Sequence, residues 1–143
     1  MHLDPKIWMP YFQFVLTTIA LYYPTHPNDT TKKKYYDFIQ NLPLFFPVKP
    51  MGNDFIELLD SFPVTPYLDS KMSFMKWTNF ISNKLNKKLN LESITLYESL
   101  EKYYQNYKSK EIIEKEITLE KQKYIFFGIF VLLLGGSLYL YSQ

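Results

Sequence analysis

The sequence predicts an all-α fold, in which a bundle of four to five helices is followed by a charged helical stalk and one C-terminal transmembrane helix. Apolar residues recur at helical spacing in several stretches that prolines separate, and no stretch alternates apolar and polar residues over the length of a strand. The 143 residues, of which 47% are hydrophobic and 19% aromatic, are sufficient for one domain with a substantial core. Short connections between the helices favour a bundle.

The first two helices are bounded by prolines. Helical spacing of apolar residues predicts the first helix from Ile7 to Tyr23, before Pro24. Asp29 or Thr30 is predicted to cap the second helix, which Pro43 ends. The residues predicted to face inward on the second helix are Tyr35, Phe38, Ile39 and Leu42.

The next three helices complete the predicted bundle. Residues 46–52 are predicted to be a loop, and Asn53 to cap a short third helix. Ser70 or Ser73 caps a fourth helix from Phe74 to Leu89, and a fifth runs from about Ser93 to Tyr107. The fourth helix carries an apolar set that is typical of a core face and is also compatible with the lining of a cofactor site: Phe74, Trp77, Phe80, Ile81 and Leu85.

The charges are mixed along the chain. Sixteen cationic residues oppose fourteen acidic ones, for a formal net charge of +2, and this balance argues against a nucleic-acid partner. All the cations are lysines, so the chain has no planar guanidinium for bidentate recognition of phosphate or carboxylate. The run from Lys32 to Lys34 is compatible with a membrane-surface or anion site and also with a solvated helix face.

The C-terminal part of the sequence predicts a membrane anchor. Residues 124–141 carry no charge and would form about 27 Å of helix at about 1.5 Å per residue, which predicts a single-pass transmembrane helix. Lys121 and Lys123 precede it, so the positive-inside rule predicts a cytosolic N-terminal domain. A buried core helix is the alternative interpretation. The predicted division is a helical domain (1–107), a charged stalk (108–123) that is helical rather than flexible because it lacks Gly and Pro, and the membrane helix (124–141).

Few residues of this chain are suited to catalysis. There is no cysteine, and the two histidines, His2 and His26, lie far apart in the sequence without the spacing of metal ligands, so no metal site is predicted. The four glycines do not form a phosphate-binding loop. Asp54 and Glu57 are compatible with a pair of functional carboxylates and also with a solvated helix face.

Three motifs occur in a fixed order. The first helix contains WMPYFQFVLTTIALYYP, beginning at Trp8. The aromatic-proline pair Phe46-Pro47 is followed by Val48 and Met51, and then by Phe55, Leu59 and Pro63 at intervals of four residues. The fourth helix contains WTNFISNKLNKKL, from Trp77 to Leu89. In order and spacing these motifs resemble the Erv/ALR family of FAD-linked sulfhydryl oxidases, small helical bundles that make disulfides and pass electrons to oxygen.

The resemblance places the family's two reactive cysteines at Val48 and Met51. Disulfide exchange requires a thiolate that attacks a sulfur, and neither Val nor Met forms a thiolate or a disulfide. The resemblance therefore implies a redox site without catalytic residues. If they fill that former site, both side chains are expected to be buried against Phe55 and the face from Trp77 to Ile81. The alternative is that this loop lies at the surface.

The flavin site that the resemblance implies has also changed. Gln13 and Thr17 stand where the family has a flavin-contacting Trp and His, and Ser82 stands where it has a second His. Each lost stacking or hydrogen-bonding partner costs on the order of 1 to 3 kcal/mol, so FAD is expected to bind weakly or not at all. The cofactor-binding positions implied by the resemblance are Trp8, Gln13, Thr17, Ser82, Asn83, Asn86 and Lys88.

Two functions are compatible with this resemblance and with the residues that differ from the family's motifs. The first is a membrane-anchored, non-catalytic binding or assembly module that keeps the family's fold. The second is an FAD-binding thiol oxidase component that relies on the cysteines of a partner. Pairing through the first helices, as a homodimer or as a heterodimer with an active relative, is implied by the resemblance alone.

Overall fold

The computed structural model describes the backbone of residues 3–141 and the side chains of residues 3–112 and 114–137. The described residues form helices, turns and loops without a strand, which confirms the all-α prediction. The chain divides into two compact units, Met1–Tyr103 and Tyr104–Gln143.

Five helices follow one another before the long C-terminal helix. They are α1 (Pro5–Leu21), α2 (Asp29–Asn41), α3 (Lys49–Ser61), α4 (Lys71–Lys88) and α5 (Leu96–Gln105). Two short 3₁₀ turns, Leu42–Phe45 and Thr65–Tyr67, precede α3 and α4 respectively. The last helix, α6, covers Lys110–Tyr141.

Side chains of Asn and Ser cap two of these helices. The Asn28 side chain accepts a hydrogen bond from the Thr31 backbone N–H at 2.8 Å, so the N-cap of α2 is Asn28, one residue before the first of the predicted caps, Asp29 and Thr30. The Ser70 hydroxyl accepts from the Ser73 backbone N–H at 3.2 Å and caps α4, which confirms the first of the two predicted caps.

The start of α3 differs from the prediction. The helix begins at Lys49 rather than after Asn53, and Val48 is its N-cap without a side-chain hydrogen bond. Pro50 lies in the first turn, where a proline is tolerated because the N–H groups of that turn have no partner within the helix. Met51 is therefore a helical residue on the inner side of α3 and not part of a loop.

A single hydrophobic core joins α1, α2, α3 and α4, with α1 packed against α4. The buried Trp77 donates from Nε1 to the Phe62 carbonyl oxygen at 3.0 Å, and the Tyr23 hydroxyl donates to the Leu68 carbonyl oxygen at 2.7 Å. The larger side chains of this core are Met9, Leu16, Tyr23, Ile39, Phe46, Met51, Phe55, Phe74, Trp77, Ile81 and Leu85. Two residues that were predicted to face inward, Phe38 and Phe80, are exposed instead, because each lies on the solvent side of its helix.

The C-terminus of α4 is closed by a Schellman motif. Asn90 adopts a left-handed conformation with φ of 56°. The Leu91 N–H donates to the Asn86 carbonyl oxygen at 2.9 Å, and the Asn90 N–H to the Lys87 carbonyl oxygen at 3.2 Å. The chain therefore turns back along α4 immediately after the helix ends.

The prediction of a transmembrane helix is wrong. No helix among the described residues combines the length and the apolar character that crossing a bilayer requires. The uncharged residues 124–137 continue from the charged segment within the same helix α6. The remainder of the predicted span, residues 138–141, lies outside the described side chains. The predicted cytosolic location of the N-terminal domain was derived from this span and is therefore no longer supported.

Candidate functional site

Gln13 connects α1 to α4. Its Nε2 donates to Asn86 Oδ1 at 2.8 Å and, at the longer distance of 3.4 Å, to the Ser82 carbonyl oxygen. The contacts are partly buried and join positions more than sixty residues apart in the sequence. Three of the seven predicted cofactor positions are therefore brought together, and they hydrogen-bond to one another.

Three asparagines of α4 hold the segment that follows the helix. Asn83 makes two bonds to Ile94: its Nδ2 donates to the Ile94 carbonyl oxygen at 2.7 Å, and its Oδ1 accepts from the Ile94 N–H at 3.0 Å. Asn79 Nδ2 donates to the same carbonyl oxygen at 3.2 Å, and Asn86 Nδ2 donates to the Glu92 carbonyl oxygen at 3.1 Å. We call Asn79, Asn83 and Asn86 the asparagine clamp.

Asn79 was not among the predicted site residues. Its spacing from Asn83 and Asn86, at i, i+4 and i+7, places all three on one side of a helix, so the pattern was visible in the sequence. Both ends of the Asn83 and Asn86 carboxamides are occupied by protein partners. The polar groups at these positions are therefore satisfied within the chain.

Thr17 lies beside a small cavity between α1, α4 and α5. The cavity has a volume of about 10 Å³, enough for about one water molecule. Its polar lining consists of Thr17, Thr78, Asn79 and Ser99, and the rest of the lining is apolar. Thr17 is separate from the hydrogen bonds that Gln13 makes.

Trp8 lies in an aromatic cluster near the start of α1. Its ring packs edge-on against Phe46, with centroids 5.4 Å apart, and against Phe12, with centroids 6.4 Å apart. The Trp8 Nε1–H is buried and has no hydrogen-bond partner among the described residues. An unpaired buried donor of this kind is unusual in a folded protein.

Lys88 is paired with two acidic residues of α3. Its Nζ forms a salt bridge with Asp54 Oδ1 and lies 3.4 Å from Glu57 Oε2. The hydrogen bond to Asp54 is the largest cause of a rise in the pKa of Lys88, and the hydrogen bond to Glu57 acts in the same direction. Asp54 and Glu57 are thus the ion-pair partners of Lys88 rather than an independent pair of carboxylates.

The two positions that stand for reactive cysteines differ in burial. Met51 is 4% exposed and belongs to the same core cluster as Phe55, Trp77 and Ile81, which confirms the expected burial. Val48 is only partly buried at the N-cap of α3, so the expectation holds less well there.

The described residues contain no group of three His, Asp or Glu side chains that is arranged to hold a metal ion. His26 is exposed in the connection between α1 and α2, and the other histidine of the sequence, His2, lies outside the described residues.

The sequence and the fold were compared with those of known proteins. The sequence profile of the Erv1 / Alr family matches residues 14–108, so Trp8 and Gln13 precede the matched segment. A probable FAD-linked sulfhydryl oxidase of Acanthamoeba polyphaga mimivirus is 26% identical over 121 residues, which cover 84% of this chain and 78% of that protein.

Two solved structures of yeast proteins share the fold. The yeast Erv1 core superposes with a TM-score of 0.62 at 20% identity, over 77% of this chain and 88% of the yeast chain. The FAD-binding domain of Erv1 from Saccharomyces cerevisiae gives a TM-score of 0.61 at 23% identity, over 67% of this chain and 90% of that domain. Since the family profile matches most of the sequence and the helical arrangement agrees, the chain belongs to the Erv1/Alr family of sulfhydryl-oxidase-like proteins.

Proposed function

We propose that this chain is a non-catalytic member of the Erv1/Alr family that serves as a binding or assembly module. The observation that carries the proposal is the absence of cysteine from all 143 residues. A thiol oxidase must cycle between thiol and disulfide, and no side chain of this protein does so. At the two positions that the resemblance assigns to the reactive cysteines, Met51 is buried in the core and Val48 is partly buried.

The geometry at the implied flavin site supports the loss of the cofactor. Gln13, Asn83 and Asn86 direct their carboxamides to protein partners, and Lys88 is paired with α3. The cavity beside Thr17 has a volume of about 10 Å³, whereas cofactor sites commonly have volumes of about 300–1,000 Å³. A cavity of this size does not admit a flavin ring, and we propose that FAD binds weakly or not at all.

Two measurements on the purified protein test this proposal. We expect no flavin absorption from protein purified in the presence of added FAD, and no oxygen consumption with dithiothreitol above a buffer blank. Oxygen consumption that persists after removal of free flavin and metal would contradict the proposal. A protein that retains a stoichiometric amount of FAD would contradict its cofactor part.

Variants that introduce the family's cysteine, tryptophan and histidine residues provide the matched controls. Val48→Cys with Met51→Cys should remain inactive, because the thiols have no electron acceptor nearby. Adding Gln13→Trp, Thr17→His and Ser82→His should increase flavin retention and oxygen consumption together. Strong activity in the two-cysteine variant alone would mean that the flavin site of the natural chain is intact.

A second candidate function is an FAD-binding oxidase component that uses the cysteines of a partner. One observation favours it: the buried Trp8 Nε1–H has no acceptor among the described residues, and an oxygen atom of a bound cofactor would supply one. The test is a flavin titration of the natural protein and of Trp8→Phe. Saturable binding that Trp8→Phe weakens about tenfold would support this candidate, and the absence of saturable binding would exclude it.

We also propose that the module pairs through α1. Three apolar residues at helical spacing are exposed on this helix, and a fourth is its C-cap; we call them the α1 stripe: Ile7, Tyr11, Val15 and the C-cap Tyr22. Sedimentation analysis should show a concentration-dependent dimer that Tyr11→Glu with Val15→Glu abolishes, whereas Lys33→Glu on α2 should leave it unchanged. A monomer at all concentrations would contradict self-pairing.

A further inference from the structure

The outer side of α4 is unusually basic. The helix contains five lysines and no acidic residue: Lys71, Lys76, Lys84, Lys87 and Lys88. Residues 72, 76, 80, 84 and 87 are separated by three or four positions, so they lie on one side of the helix. We define the basic face as Met72, Lys76, Phe80, Lys84 and Lys87; it extends over about 22 Å of helix.

Most of the basic face is accessible and its charge is not neutralised. Met72, Lys76, Phe80 and Lys87 are exposed, and Lys84 is partly buried. Lys88 and Lys32 have carboxylate partners in Asp54 and Asp69, but no ion pair is found for the three lysines of the basic face within the described part of the chain. These three charges are therefore available to an external anion.

An aromatic pair holds the centre of the face in place. Phe62 and Phe80 pack edge to face with centroids 4.9 Å apart. Lys84 Nζ lies 5.1 Å from the centroid of each ring, which is a cation–π arrangement with both. Because Phe80 and Lys84 are already ordered by these contacts, binding there would cost less side-chain entropy than at a free surface.

Resting on the proposed function as a binding module, we infer that the basic face binds an acidic helical segment of a partner protein. The matching segment has acidic residues on both sides of an apolar one, at helical spacing, so that carboxylates meet Lys76 and Lys84 while the apolar residue meets Phe80. Charge complementarity of this kind selects the partner and increases the rate of association.

Two observations favour an acidic protein over a nucleic acid. The chain has no arginine and a pI of about 8.6, below the range typical of dedicated nucleic-acid binders. In addition, Phe80 is only 39% exposed and its ring contacts Phe62 and Lys84, which leaves room for contact with one apolar side chain but no free ring platform on which a base would stack.

Fluorescence anisotropy with the full chain tests the inference. The probe is a labelled helical peptide that repeats Glu-Ala-Ala-Ala-Leu-Ala-Ala-Ala-Glu, compared with the same peptide carrying Gln for Glu. We expect saturable binding of the Glu peptide at low salt, weakened at least about tenfold by Lys76→Glu with Lys87→Glu. Lys33→Glu with Lys34→Glu, which reverses two exposed lysines of α2, should change the affinity less than about twofold.

A third variant tests the apolar part of the contact. Phe80→Ala keeps every charge of the face and should weaken binding of the Glu peptide about fivefold, with helical content checked by circular dichroism. Equal binding of the Glu and Gln peptides, equal effects of the α2 and α4 charge reversals, or displacement of the peptide by a lower concentration of single-stranded oligonucleotide would each overturn the inference.

The outcomes separate this inference from the proposed function. If the peptide does not bind and the oxygen and flavin assays are negative, the inferred binding at the basic face is overturned, while the non-catalytic function stands. If the chain consumes oxygen with dithiothreitol, the non-catalytic function fails whatever the peptide does.

Discussion

Met51 and Val48 occupy neighbouring positions at the start of α3 but differ in how much of each side chain is buried. Met51 is 4% exposed within the core, so Met51→Ala should lower the free energy of unfolding by about 2–4 kcal/mol through the cavity it leaves. Val48 is partly buried at the N-cap, and Val48→Ala should cost less than about 1.5 kcal/mol. Urea unfolding of the two variants measures the difference. Equal costs would contradict the different burial of the two side chains.

Asn83 makes two of the four hydrogen bonds by which the asparagine clamp holds the segment after α4. Removing its side chain leaves the Ile94 N–H without an acceptor and takes one of two hydrogen bonds from the Ile94 carbonyl oxygen. Asn83→Ala should therefore lower the free energy of unfolding by about 1–3 kcal/mol. Asn79→Ala is the matched control, since the Ile94 carbonyl then keeps its bond to Asn83. The midpoint of thermal unfolding should be lower for Asn83→Ala than for Asn79→Ala. The reverse order would contradict the larger role of Asn83 in holding Ile94.

At the scale of single residues, the sequence was sufficient to propose positions but not their partners. The motifs around Gln13, Ser82 and Asn86 placed these residues in one site, and the structure does bring them together. That Gln13 donates to Asn86 depends on how α1 packs against α4, and no local pattern specifies a contact across so many residues. The pairing of Lys88 with α3 has the same origin.

The start of α5 is set by a capping box between Thr95 and Glu98. The Thr95 N–H and hydroxyl both donate to Glu98 Oε2, at 2.7 and 2.8 Å, and the Glu98 N–H donates to Thr95 Oγ1 at 3.2 Å. The backbone hydrogen bond from Thr95 is the main cause of the lowered pKa of Glu98. A carboxyl with a lowered pKa in the folded state stabilises the protein at pH values above its unfolded pKa and loses that effect as pH falls through its folded pKa.

The pH dependence of Glu98→Gln tests this cap. The natural protein should be more stable than the variant above about pH 5, and the difference should shrink as the solution is acidified below that value. The midpoint of thermal unfolding, measured for both proteins from neutral to acidic pH, gives the result. A difference that is independent of pH would mean that the charge of Glu98 does not contribute to the cap.

At the scale of elements, the prediction failed at residues whose type is compatible with two different structural positions. Pro50 was interpreted as part of a loop, yet in the first turn of α3 a proline has no hydrogen bond to lose. Helical spacing placed Phe80 on one apolar face with Trp77 and Ile81, but the Phe80 side chain is 39% exposed and packs against Phe62. The capping box of α5 was visible in the sequence as Thr-x-x-Glu, and using it would have placed the helix start correctly.

At the scale of the molecule, the core belongs to the first compact unit. All buried residues of the core cluster lie within Met1–Tyr103, so deleting residues 124–143 should leave the unfolding midpoint of the bundle unchanged. Deleting residues 96–143 is the control, because it also removes the buried Tyr103, which stacks on Phe14 with centroids 4.8 Å apart. Circular dichroism during thermal unfolding should show an unchanged midpoint for the shorter deletion and a lowered midpoint for the longer one. Loss of cooperative unfolding in the shorter deletion would contradict this division.

The transmembrane helix in the predicted division is wrong, and the boundary at residue 107 stays a prediction. A boundary at residue 107 lies near the observed end of the first unit at Tyr103, because the change from apolar periodicity to mixed charge is a local property of the sequence. The stalk and the apolar segment were separated by composition, but backbone hydrogen bonding continues through both as α6. Composition alone does not indicate where a helix ends.

The turn at Asn90 has a consequence for how the native protein fluctuates. Residues 90–95 are held to α4 by the Schellman motif and the asparagine clamp, and none of them belongs to the core cluster or packs against it. Such a segment can open without unfolding the bundle. Its backbone amides, including that of Ile94, should therefore exchange with deuterium faster than those of central α4, and Asn83→Ala should accelerate exchange at Ile94 while leaving the amide of Ile81 unchanged.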